Sequence, residues 1–260
     1  MDWVTVEYPL VSFALGKAET NLVIDCMRAQ GFQIDSSGLF RVQPEPYTLA
    51  KRYNTYSATE AESRGYTWPD SGDDRRETPV PATGSERTTF LRALTGFDDG
   101  VSDANYPLVD PSSGEQLGTQ DAPGGCKKVA VEKLYGSVDG YVKFVADDLF
   151  VQNVAGEASR RAEADARFAQ MNTQWAECMA RAGYRYQAPT DPAAASWPEP
   201  RPGDVERTTA AADMTCRSEI GYLGTIGTIE RDYQMQALDQ FGPVLQQIET
   251  SRAKLVASLP

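Results

Sequence analysis

Residues 172–186, NTQWAECMARAGYRY, set the reading of the whole chain. Trp175, Cys178 and Ala182 continue a run from Phe168 and Met171 with spacings of three and four, which marks a helix with one buried stripe. Gly183 stands just past the last turn, where a residue without Cβ enters the left-handed region freely, and Tyr184 follows it as the ring that folds back on the helix. The same device occurs at 20–34, TNLVIDCMRAQGFQI, with Cys26, Met27, Gly31 and Phe32 in the places of Cys178, Met179, Gly183 and Tyr184. Two helices are therefore predicted to end alike, each carrying a thiol on its buried face about one turn before a Schellman-type cap.

Outward from these two segments the chain divides by texture. From about Leu15 to Gln30 the apolar positions Leu15, Ala18, Leu22, Val23, Cys26 and Met27 share one helical face. Between Gln33 and Thr88 turn formers dominate in QPEPY, WPDSGDD and PVPATG, interrupted by a short helix at TLAKRYNTY. A second short amphipathic helix is predicted in TTFLRALTGF, ending near Gly96, and one hairpin in the polar stretch SDANYPLVDPSSGEQLGTQDAPGG. From Cys126 onward helical patterns prevail: CKKVAVEKLY closed by Gly136, then GYVKFVADDLFVQNV, then a long helix between about Ala158 and Ala182. The Pro-rich segment from Gln187 to Gly203 reads as a connecting loop, Asp204 as the N-cap of a last helix running through Cys216 to Leu238, and Gly242-Pro243 as its kink or break. The predicted fold is mainly α-helical, a single domain over 1–260 or two lobes, 1–125 rich in loops and 126–260 helical.

The chain has 260 residues with 25 basic and 37 acidic side chains, a net charge of −12 that repels phosphate backbones and excludes nucleic acid as the expected partner. It contains no histidine, which removes Ser-His and Cys-His catalysis and every imidazole metal site. The four cysteines, Cys26, Cys126, Cys178 and Cys216, include no CxxC pair, so no metal centre is expected. Four cysteines can pair in three ways; the spacing, with Cys26 and Cys178 heading two similar segments, favours Cys26–Cys126 and Cys178–Cys216. Two disulfides imply an oxidising compartment and hence export to the cell surface or beyond, although the first residues, MDWVTVEYPL, lack a leader pattern; Met1 then reads as a start residue ahead of a mature form.

In these motifs the chain resembles a family of uncharacterised actinobacterial, Streptomyces-like secreted proteins and lipoproteins. The features that carry the resemblance are CMRAQGF at Cys26, RYNTYSATEAESRGY from Arg52 to Tyr66, GGC at Gly124, CMARAGYRY at Cys178, and AADMTC ending at Cys216. Asn54 stands where the family usually has glycine. The resemblance implies export, tethering by a lipid upstream of this sequence, and a Gram-positive envelope setting; it supplies no activity, cofactor or ligand.

Recognition is expected of the aromatic residues Tyr53, Tyr56, Tyr66 and Trp68, with Trp197 from the second Pro-rich loop, because such side chains join large apolar area to a polar tip. The competing role for the same rings, and the one the irregular sequence favours, is to pin loops onto the helical core. Adjacent carboxylates at Asp73-Asp74, Asp98-Asp99 and Asp147-Asp148 could in principle hydrolyse a glycan, and FDDGVSDANY could hold calcium, but both patterns fit solvated surface better. No catalytic residue or cofactor is predicted. The expected function is a non-enzymatic extracytoplasmic binding or accessory protein that takes a small molecule, peptide or glycan, or a membrane protein partner. The alternative is a carboxylate-based cell-wall glycan hydrolase.

Overall fold

The structure, a computed structural model, describes residues 8–34, 48–67, 84–198 and 202–259. The turn-former stretches QPEPY and WPDSGDD, most of PVPATG, and with them Trp68 and Asp73-Asp74, lie outside the described residues. The chain is mainly helical and carries both expected disulfides, Cys26–Cys126 and Cys178–Cys216, with Cα–Cα distances of 5.6 and 5.7 Å. It divides into two compact units that interleave along the sequence, so that the expected lobes 1–125 and 126–260 each supply residues to both.

Unit 1 holds the described residues of Tyr47–Asp73 and Ala155–Ala237. The short helices α2 (Leu49–Arg52) and α3 (Ala58–Arg64) each begin on a hydroxyl cap, Thr48 and Ser57, accepting from the N–H of Lys51 and Glu60. α3 was not among the predicted helices, although Ser57-x-x-Glu60 is a capping-box signature. Two elements here span the unit boundary in sequence: α6 (Val138–Glu163) ends in unit 1, and α10 (Tyr222–Ala257) begins in it. α7 (Ala166–Arg181) starts at Asp165, whose carboxylate accepts from the Arg167 N–H. The single helix expected between Ala158 and Ala182 is therefore two helices separated at Ala164–Asp165. A four-residue turn, α8 (Asp191–Ala194), interrupts the Pro-rich loop, with Pro192 in its first positions where a missing N–H costs nothing. α9 (Asp204–Glu219) is capped by Gly203 rather than Asp204; Asp204 lies in the first turn and pairs with Arg207. The last helix does not run on from Cys216, because Gly221 at φ +64° separates α9 from α10.

Unit 2 holds the described residues of Asp2–Pro46, Asp74–Val154 and Leu238–Pro260. α1 (Tyr8–Ala29) starts earlier than its apolar spacing indicated, and α4 (Gly84–Thr95) ends at Gly96 as read. β1 (Asn105–Val109) and β2 (Gln116–Asp121) form one antiparallel hairpin, with Asn105 opposite Asp121 and a bulge at Leu108/Val109. α5 (Gly125–Tyr135) follows, closed by Gly136 in the left-handed region. Ile24, Met27, Ile34, Phe90, Leu91 and Cys126 form the core that joins α1, α4 and α5, with Phe32 edge-on to Phe90 at 5.4 Å. α10 continues through Pro243 instead of breaking there. Proline withholds its own N–H and leaves the carbonyl four residues earlier, that of the exposed residue Asp239, without a helical donor.

The two helix endings are alike in atomic detail. Phe32 N–H donates to Met27 O at 3.1 Å and Gly31 N–H to Arg28 O at 2.9 Å; Tyr184 N–H donates to Met179 O at 2.9 Å and Gly183 N–H to Ala180 O at 3.1 Å. With φ at +89° for Gly31 and +90° for Gly183, both are Schellman caps.

Candidate functional site

The aromatic residues singled out in the sequence belong to unit 1, and three of them meet there. Tyr66 is buried and stacks on Trp197, centroids 5.9 Å apart, and both pack with Ala61, Ala210 and Met214. Tyr56 joins the same cluster, under the Arg64 guanidinium at 3.5 Å from the ring centre. Tyr53 lies apart from them, against Met171, Tyr222 and Ile226. Their polar tips are engaged within the protein. The Tyr53 hydroxyl donates to Glu230 at 2.8 Å, that of Tyr56 to the Gly65 carbonyl, and that of Tyr66 to Asp213 at 3.2 Å, while the Trp197 indole donates to Pro192 O at 3.0 Å. Burial, reinforced by the neighbouring carboxylate, holds the Tyr53 and Tyr66 phenols protonated far above the usual range.

Beneath these rings lies a buried polar centre that the sequence did not reveal. Asp213, fully buried, accepts from the Trp175 indole at 2.8 Å and from Arg217 Nε at 2.7 Å. Arg217 also donates to Tyr53 O at 2.6 Å and to Pro189 O at 2.7 Å. One guanidinium thus ties α9 to the tyrosine-rich segment and to the Pro-rich loop, and it satisfies carbonyls that irregular chain would otherwise bury without donors. Asp213 and Arg217 stand at i,i+4 spacing, which alone does not tell that the pair turns inward.

Unit 2 contains a different kind of place, a cavity of about 190 Å³. Glu19 of α1, Phe97 beyond α4, Gln120 and Asp121 at the end of β2, Lys127 in the first turn of α5, and Tyr141 of α6 line it. The GGC element shapes its wall. A Cβ on Gly124 would stand 2.2 Å from Thr95 O, and one on Gly125 2.4 Å from Ala93 O, so only glycine lets α5 start against the end of α4. Glu19 accepts from the Tyr135 hydroxyl at 3.2 Å. Burial raises its carboxyl above the ordinary glutamate value, against the opposing pull of the Tyr135 bond and of Lys127. Tyr135 packs on Tyr141 at 5.3 Å and on Phe144 at 4.9 Å, which fixes the aromatic side of the site. A titratable carboxyl displaced from its normal range in a concave, mixed polar and aromatic setting is the physical ground for a candidate ligand site here. A second hollow, between β1 and α6, is lined by Tyr106, Pro107, Val142 and Ala146, and its flanking Lys143 is already paired with Asp147.

No family model, curated protein or solved structure matches this chain. The site is therefore read from its own chemistry.

The adjacent carboxylates within the described residues are engaged by their own chain, Asp98 and Asp99 at exposed positions, Asp148 half-buried and Asp147 buried. Asp98 pairs with Arg92, Asp147 with Lys143 and Asp148 with Arg252, while Asp99 accepts from the Val101 N–H at 3.0 Å. In the loop considered for calcium, Asp98 and Asp99 thus face Arg92 and the Val101 N–H. Among the described residues no group of three metal-ligating side chains converges, and no helix is long and apolar enough to cross a membrane. Glu19, Lys127 and Tyr141 were missed in the sequence because they come from three separate helices with no motif linking them; GGC was the one local signal.

Proposed function

We propose that the protein is an extracytoplasmic binding or accessory protein of the actinobacterial cell envelope, working without catalysis, and that its ligand occupies the unit 2 cavity. The observation that carries this reading is the desolvated Glu19 carboxyl facing the same cavity as Lys127, Gln120 and Tyr141. Those groups offer a carboxylate, an ammonium, an amide and a phenol, which together suit a small molecule bearing amino and hydroxyl groups. At about 190 Å³ the cavity is smaller than the roughly 300 Å³ at which drug-sized ligand sites begin, so the ligand is the size of a single sugar or amino acid. Two disulfides are compatible with an extracellular location and support placing the protein outside the cytosol. The motif resemblance at Cys26, Gly124, Cys178 and Cys216 supports the actinobacterial envelope setting and a lipid tether upstream.

The test is a backbone amide NMR titration with glucosamine, N-acetylglucosamine and glycine as probes. Binding at the proposed site shifts the amides of Ser102, Gln120 and Lys127. Shifts confined to Tyr66 and Trp197 would instead assign recognition to the aromatic cluster of unit 1, and release of soluble fragments from purified peptidoglycan would replace binding with hydrolysis.

A further inference from the structure

The two disulfides occupy opposite electrostatic settings. Cys126 is the second residue of α5, an eleven-residue helix whose N-cap, Gly124, makes no side-chain cap bond. The first-turn N–H groups of a helix have no partner within it and favour negative charge, so a thiolate at Cys126 is stabilised. An independent donor adds to this: the side-chain amide of exposed Gln30 lies 3.0 Å from Cys126 Sγ and 3.6 Å from Cys26 Sγ. Cys26 sits in the last turn of α1, where charge of that sign is disfavoured, and it is only partly buried, whereas Cys126 is wholly buried. One sulfur of this bridge is thus reachable and the other is the better leaving group.

In the second bridge neither condition holds. Cys178 and Cys216 are 5% and 2% exposed, each in the last turn of its helix. The Glu219 carboxylate, anchored by Arg181 at 2.9 Å, stands 3.5 Å from Cys178 Sγ and opposes a thiolate there.

We propose that Cys26–Cys126 is a thiol–disulfide exchange site for small thiols, while Cys178–Cys216 is a permanent staple. A thiolate RS⁻ attacks Cys26 Sγ, forming a Cys26–S–S–R bond as the Cys26–Cys126 bond breaks, and the electron pair leaves on Cys126 Sγ. A second thiolate then attacks the R sulfur, releasing RSSR and the Cys26 thiolate. The two cysteines are reduced by two electrons, two molecules of thiol are oxidised to one disulfide, and the two protons of the thiols end on Cys26 and Cys126.

Because an accessible sulfur and a stabilised leaving group both speed exchange, the first bridge should open about tenfold faster than the second, or more. The experiment incubates the oxidised, folded protein with glutathione, quenches with iodoacetamide at intervals, and maps the peptides. The expected result is glutathione on Cys26, alkylation on Cys126, and Cys178 and Cys216 still joined. Adducts on Cys126 with Cys26 alkylated, or equal or earlier opening of Cys178–Cys216, would overturn the proposal. Gln30→Ala provides the second arm: loss of a hydrogen bond to the departing charge should slow the first bridge about three- to tenfold and leave the second unchanged. A rate unaffected by Gln30→Ala would remove the leaving-group assignment on which the proposal stands.

Discussion

Arg217 is the side chain on which the order of unit 1 turns. Its guanidinium and the Asp213 carboxylate are 3% and 0% exposed at a separation of 2.7 Å, and the same guanidinium holds two loop carbonyls. Arg217→Met keeps most of the volume but leaves Asp213 buried without its cation, beside carbonyls that have lost their donor. Removing one partner of such a pair costs about 3–5 kcal/mol, which equilibrium urea unfolding would read directly. Glu19 gives the corresponding statement for unit 2. Its pKa is raised above 4.5 by burial, so the folded state holds the proton more tightly than the unfolded chain. The stabilising contribution is complete below about pH 4.5 and is lost as pH climbs through the raised midpoint. The Tyr135 hydrogen bond acts in the opposite direction, so Tyr135→Phe should move the Glu19 midpoint upward in a carboxyl ¹³C titration; a downward move would show that the phenol does not stabilise the anion.

At the scale of elements, the two Schellman caps and the start of α5 use glycine for different reasons. Gly31 and Gly183 have positive φ and open space where a Cβ would be added. Alanine at either position meets only the backbone cost of the left-handed region, about 1–2 kcal/mol. Gly124 has an ordinary extended φ of −129°, but a Cβ there would overlap Thr95 O at 2.2 Å and force the ends of α4 and α5 apart. Gly124→Ala should therefore lower stability more than Gly183→Ala in urea, and the reverse order would mean that the α4–α5 junction yields cheaply. The caps were legible because they depend on residues next to each other in the chain: an apolar stripe, a glycine, an aromatic ring. The breaks at Ala164–Asp165 and Gly221 were misread, and of the kink or break expected at Gly242-Pro243 the break does not occur. A helix stops without a proline where a cap such as Asp165 is present, and continues through one where the orphaned carbonyl belongs to an exposed residue such as Asp239.

For the whole molecule, the bridges close loops of 100 and 38 residues, and the shorter one alone restricts the unfolded chain by about 4 kcal/mol in the loop-closure model. Replacing Cys178 and Cys216 together by alanine should lower stability by an amount of that order. Hydrogen exchange would then accelerate first in α7 and α9, the helices that the bridge joins; unchanged protection there would mean that the Trp175, Met179 and Ile220 packing suffices without it. The sequence by itself determined the helical class and the paired helix endings, because stripe spacing, capping glycines and the repeated Cys-Met segment are local patterns that any packing must respect, and it favoured, among three pairings, the two bridges that form. Only the tertiary structure decided that the tyrosine-rich segment closes over Asp213 and Arg217, and that Glu19, Lys127 and Tyr141 surround one cavity. Both depend on which faces of separate helices meet, and burial is what shifts Glu19; neither quantity exists until distant segments have packed and excluded water.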